Sequence, residues 1–140
     1  MECDDPFTGI WTFNPERSRL SSPPPRAWTQ QIAATPATIE VRETIVRADG
    51  STTELSVSAR FDGAAYAVAG SAAVDNIACT RPQSSRIRGT GKKRGGVALS
   101  ETATVSADGR TLPLDYVVQL EPEKTASGHA VFEKQFRCGA

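Results

Sequence analysis

Apolar and polar residues alternate with a period of two along most of the chain, as side chains do when a strand presents its two faces in turn. The first such stretch is Phe7 to Phe13: Phe7, Gly9, Trp11 and Phe13 share one parity, and Thr8, Ile10 and Thr12 take the other. Trp28, Gln30, Ile32 and Ala34 repeat the pattern across 27–35, and Ile39, Val41, Glu43 and Ile45 across 38–47. Thr53, Leu55, Val57, Ala59 and Phe61 do so within 51–61, and Tyr66 and Val68 mark a short strand. Further strands are expected over 75–81, over the stretch after Ser84 where Arg86, Arg88, Thr90 and Lys92 alternate with Ile87, Gly89 and Gly91, over 97–106, over 111–120 with Leu112, Leu114, Tyr116, Val118 and Leu120 on one face, and over 128–136.

The breaks carry turn chemistry. Ala48-Asp49-Gly50 and Ala107-Asp108-Gly109 are hairpin signals, since Asp-Gly tolerates the left-handed angles of tight turns. Pro36, Asp62-Gly63, Gly70-Ser71, Pro82 and a loop over 121–127 divide the remainder. Asn14-Pro15 predicts one short helical turn, and Ser21 to Pro25 an extended linker across one end. About nine or ten short strands with almost no helix, and turn signals roughly every 8 to 12 residues, predict a single all-β domain over 1–140, an antiparallel up-and-down barrel of about 8 to 10 strands. Barrels of this size enclose room for one small ligand.

Composition narrows the function. Sixteen basic residues balance sixteen acidic ones, so nothing calls for nucleic acid or an anionic surface as partner. Apolar content is 39%, with alanine and threonine where a tight core would use leucine, so a loosely filled interior is expected. No run of about 18 apolar residues predicts a membrane-spanning helix. The acidic start, Met-Glu-Cys-Asp-Asp-Pro, contains no secretory signal; a periplasmic or secreted location is the expectation, with the signal absent from this chain.

Cys3, Cys79 and Cys138 have no metal-ligand spacing, so neither a metal nor another cofactor is expected. In an up-and-down barrel the last strand closes antiparallel to the first, which brings the residue before strand one beside the residue after the last. Cys3 and Cys138 hold those places, so a Cys3–Cys138 disulfide tying the termini is expected, with Cys79 left as a free buried thiol. The alternative is three unpaired thiols in a reducing compartment.

Phe7-Thr8-Gly9-Ile10-Trp11 resembles the opening strand of lipocalins and fatty-acid-binding proteins, and Val131-Phe132-Glu133-Lys134 the last strand of the latter. The whole alternation over roughly 5–136 is similar to uncharacterised lipocalin-like domains of soil bacteria. The resemblance implies that Trp11 plugs the closed end, that Gly9 allows close backbone approach, and that Lys134 or Arg137 lays its cation across the indole. It also implies two departures. The inward Arg and Tyr that hold a fatty-acid carboxylate are replaced by Ala130 and Phe132, and 14–25 leaves no room for the usual pair of covering helices.

Candidate chemistry is sparse. His129 is the one histidine, so no site can pair it with a second, and its outward parity reads as a solvated surface residue, with a ligand or haem role as the alternative. Glu43 and Glu101 fall on inward faces beside Tyr66 and Tyr116; such a pair could do acid and base work, or could lie in water at a barrel mouth. Arg86, Arg88, Lys92, Lys93 and Arg94 read as a solvated outer face, with anion binding as the alternative. Gly89 and Gly91 remove volume from the interior, making room for a ligand or a leaning side chain, or bending a barrel corner. The expected reading is a non-enzymatic barrel holding a small apolar or amphipathic molecule among Trp28, Gln30, Glu43, Tyr66, Gly89, Gly91, Glu101, Tyr116 and Phe132. The alternatives are an interaction or inhibitor barrel with a packed interior, and an enzyme using Glu43 or Glu101.

Overall fold

The computed structural model describes residues 5–121 and 124–135. Cys3, Arg137 and Cys138, with the bridge and the second cation expected from them, lie outside the described residues. In chain order the elements are β1 (Gly9–Phe13), a 3-10 turn (Pro15–Arg17), β2 (Arg19–Leu20), β3 (Ala27–Ala34), β4 (Thr38–Val46), β5 (Thr52–Arg60) and β6 (Ala65–Ala69). β7 (Asn76–Gln83), β8 (Arg86–Lys93), β9 (Gly96–Thr104), β10 (Thr111–Glu121) and β11 (Lys124–Lys134) follow.

From β3 to β11 every strand pairs antiparallel with the next, and β1 pairs with both β3 and β11, where Trp11 faces Gln30 on one side and Lys134 on the other. The sheet therefore closes as a ten-strand antiparallel barrel. Beyond β1 the same edge of β11 is covered by the short β2, with Leu20 opposite Gly128. The 3-10 turn between them follows from Asn14-Pro15: the Asn14 side chain caps the Glu16 amide, and Pro15 brings no donor that would go unmet. Ser18 stitches the turn to β11 by accepting the Val131 amide at 2.8 Å and donating to the Asn14 carbonyl at 2.6 Å.

Several boundaries differ from the sequence expectation. The first strand begins at Gly9, because Phe7 belongs to a turn that the Asp5 side chain caps at the Phe7 amide. Pro82 does not end β7 but sits inside it, where the register with β8 shifts between Thr80 and Gln83; a bulge spares the missing amide. The last strand starts at Lys124, so most of the expected 121–127 loop is paired with β10.

The closed end of the barrel is packed. Phe7, Trp11, Leu112 and Phe132 are the largest fully buried side chains. Each is worth on the order of 2 kcal/mol in area removed from water. Trp11 donates its indole N–H to the Phe7 carbonyl at 2.9 Å, and the Lys134 ammonium lies 5.0 Å from its ring centroid. Gly9, at φ +149°, lies against the Lys134 stem: a Cβ there would come within 3.1 Å of it. A buried ion pair completes this floor. Arg81 grips Asp5 through two hydrogen bonds of 2.7 and 2.9 Å, donates to the Thr35 and Ser84 carbonyls, and lies over the rings of Phe7 and Phe61.

Candidate ligand cavity

Above the floor the interior is open. Inward residues of β4 to β10 enclose a cavity of about 1120 Å3 that reaches the end where β3 begins and the β4–β5 hairpin turns. The wall is mostly aliphatic, including Ile45, Leu55, Val57, Val68, Ile77, Leu99 and Val118. The mouth is narrowed by Ser22, Pro23 and Pro25 of the linker and by the segment from Ser71 to Val74, with Arg47, Asp49, Lys93 and Arg94 at its edge.

A polar belt interrupts the aliphatic wall. Glu43 on β4 accepts the Trp28 indole N–H at 2.7 Å and the Gln30 amide at 3.2 Å, both from β3, where Trp28 and Gln30 share its inward parity. Burial pushes the Glu43 carboxyl up to about 7 although both donors hold it down. Glu101 on β9 enters from the opposite wall, since β4 and β9 are five strands apart whichever way the ring of ten is followed. Its carboxyl accepts no hydrogen bond among the described residues, and burial, reinforced by the Glu43 charge, raises it to about 7 as well. Cys79 lies on the same cavity wall; burial first and the Glu101 charge second push its thiol up to about 11.

Aromatic rings brace this belt. Trp28 meets Phe132 nearly edge-on with centroids 4.9 Å apart, Phe13 at 5.4 Å and Tyr116 at 6.1 Å. Such contacts hold the indole in place to donate to Glu43.

Of the residues expected to line a cavity, Trp28, Gln30, Glu43, Glu101 and Tyr116 do so. Phe132 supports Trp28 and is fully buried beneath it. Tyr66 is displaced from the expected lining: its hydroxyl donates back to Asp62 at 2.7 Å, at the turn before β6. Gly89 and Gly91 face inward, but other side chains fill the volume they leave. A Cβ at Gly89 would stand 3.0 Å from Ile77 and 3.3 Å from the Glu101 stem, and one at Gly91 would meet Val74 at 2.7 Å. Gly89 thus seats Glu101, and Gly91 seats Val74.

Gly128 plays the same part for Leu20 and the Tyr116 ring, within 2.7 Å of a hypothetical Cβ. Its parity with Ala130 was the available signal. Val74 and the Asp5–Arg81 pair had none, lying in a loop and across 76 residues of sequence.

The outer wall is quieter. His129 points outward and its Nδ1 meets Asp115 at 2.6 Å, both groups about half exposed. The basic stretch divides: Arg88 and Lys92 face solvent on β8, while Lys93 reaches the Ala72 carbonyl and the Arg94 amide donates to Asp75 at 2.8 Å. Among the described residues no three His, Cys, Asp or Glu side chains converge as metal ligands would, and no helix is long and apolar enough to cross a membrane.

No protein-family model matches the chain, and no curated protein matches it in sequence. The fold does have a counterpart. A solved structure of EF1p2_mFAP2b bound to DFHBI superposes with a TM-score of 0.52 over 93% of this chain and 94% of that one, at 10% identity. The likeness is one of fold, a closed antiparallel β-barrel. No sequence match links the chain to lipocalin-like domains of soil bacteria.

Proposed function

We propose that the protein binds a small amphipathic molecule inside its barrel and performs no chemistry on it. The cavity carries this reading: about 1120 Å3 of mostly aliphatic interior remains open above a floor that is already packed. A similar barrel, EF1p2_mFAP2b, is bound to DFHBI, which supports this reading. Glu43 and Glu101 give the otherwise aliphatic pocket polar anchors that would orient an amphipathic ligand. An interaction or inhibitor barrel, the second reading, gains nothing from an unfilled interior.

The test is uptake of an uncharged solvatochromic dye such as Nile red, alongside native mass spectrometry of the purified protein for a retained ligand. Saturable blue-shifted dye fluorescence, accompanied by tryptophan energy transfer that is reduced in Trp28→Phe, is the expected result. Absence of both dye uptake and any retained mass overturns the proposal.

A further inference from the structure

Among the described residues, the polar belt of the cavity holds two carboxyl groups and no cation to answer them. The influences on Glu43 and Glu101 are burial, the Trp28 and Gln30 donors and the charge of Glu43 itself, with no lysine or arginine among them. The cations nearest the pocket belong to its mouth: Lys93 is engaged by the Ala72 carbonyl, and Arg47 and Arg94 stand with Asp49 at the edge. Around the belt the other facing groups are the Cys79 thiol from β7 and the Tyr116 phenol from β10, both uncharged near neutrality.

Isolated buried carboxylates are costly unless a positive partner meets them, and a carboxylate accepts hydrogen bonds but donates none. The two sides of this belt are unequal in that respect. Glu43 already has an indole and an amide, whereas Glu101 has no donor among the described residues although Gly89 keeps a seat clear for it. A fatty-acid head group would set a third negative charge against these two. An ammonium would instead supply several donors and the missing charge, beside the Trp28 and Tyr116 rings that favour a cation.

We propose that the cavity takes an amphipathic amine, with its protonated nitrogen between Glu43 and Glu101 and its hydrocarbon part against Leu55, Val57 and Ile77. This rests on the binding role proposed above and names its ligand class. A primary or secondary alkylamine fits, because its nitrogen stays protonated at neutral pH much as a lysine does. The same complementarity disfavours carboxylates of equal length.

Three probes with one chain settle it: dodecylamine, dodecanol and dodecanoate, each below its micellar concentration, competing with Nile red at about pH 8. Dodecylamine should bind at least about tenfold more tightly than dodecanol, and dodecanoate most weakly. Glu101→Gln should shrink the preference for amine over alcohol, and lowering the wild type to about pH 5, where both carboxyls are protonated, should remove it. Equal or weaker binding of the amine overturns the ligand class while leaving the cavity's binding role intact. An amine preference untouched by Glu101→Gln overturns the assignment to this carboxyl. Failure of Nile red and all three chains to bind removes both proposals together.

Discussion

Glu43 and Glu101 approach one cavity from opposite walls of the barrel, and the hydrogen-bond donors stand on one side only. Trp28 and Gln30 both serve Glu43, while Glu101 is seated over Gly89 without a donor among the described residues. The asymmetry carries into their ionisation. The donors hold the Glu43 carboxyl down against its burial, and the Glu43 charge pushes Glu101 up. The two groups therefore titrate as a pair.

Stability should follow that pair. Both carboxyls stand near 7 in the folded chain against an ordinary 4.5, so the folded state holds protons that the unfolded state has released. Stability then falls as pH climbs from about 4.5 to about 7 and levels beyond, the reverse of a salt-bridged carboxylate. Asp49, Asp62 and Asp108, which turn hydrogen bonds hold below the ordinary range, act only at lower pH. Glu101→Gln should raise stability by about 2 kcal/mol near pH 8 and change it little near pH 4.5. Urea unfolding at a series of pH values measures this. A wild-type stability that rises through the window contradicts it.

The Trp28 bond sets how far Glu43 is raised. Trp28→Phe keeps a ring among Phe13, Tyr116 and Phe132 but removes the indole donor. The Glu43 carboxyl should titrate at still higher pH, and stability should fall by about 1–3 kcal/mol near pH 8, less in acid. Carbon-detected NMR of labelled glutamate side chains follows the shift directly. An unchanged or lowered Glu43 titration would mean the indole contributes nothing to the ionised form.

The floor should be intolerant of half-measures. Asp5→Ala strands a guanidinium that is almost wholly buried, whose Nε already has no partner, and should cost about 3–5 kcal/mol. Arg81→Met with Asp5→Leu removes both charges and should recover most of that loss, since the desolvation cost disappears with them. Thermal unfolding of Asp5→Leu, Arg81→Met and the double variant gives the coupling. Additive losses would show that the pair does not act as a unit.

Much of this was legible because a strand has a period of two. Parity alone placed Trp11, Trp28, Gln30, Glu43, Glu101 and Tyr116 inward, and Asp-Gly turns set the hairpins around them. What parity does not encode is depth. Tyr66 has inward parity, yet its ring stands close enough to the turn for its hydroxyl to reach Asp62 instead of the cavity. Parity equally says which way Gly89 and Gly91 face without saying what fills the space they leave. The Asp5–Arg81 pair was hidden for a different reason: it joins a turn before β1 to a bulged strand, and nothing local in either sequence names the other.

Gly91 tests the mouth. Val74 is buried although it belongs to a loop, and it is seated where a Cβ on Gly91 would come within 2.7 Å of its Cγ1 and 3.1 Å of the Leu99 Cβ. Ser71 holds the same loop by accepting the Ala73 and Val74 amides, and Lys93 ties the Ala72 carbonyl to β8. Gly91→Ala leaves the strand backbone able to pair but denies Val74 its seat, so the loop must lift from the mouth. The overpacking should cost about 1–3 kcal/mol. Nile red should enter and leave faster in stopped-flow mixing. Adding Val74→Ala relieves the clash and should restore stability relative to Gly91→Ala alone, while exchange stays fast because the mouth has lost its apolar stopper. If Gly91→Ala left both stability and exchange at wild-type values, Val74 would not be what narrows the entrance.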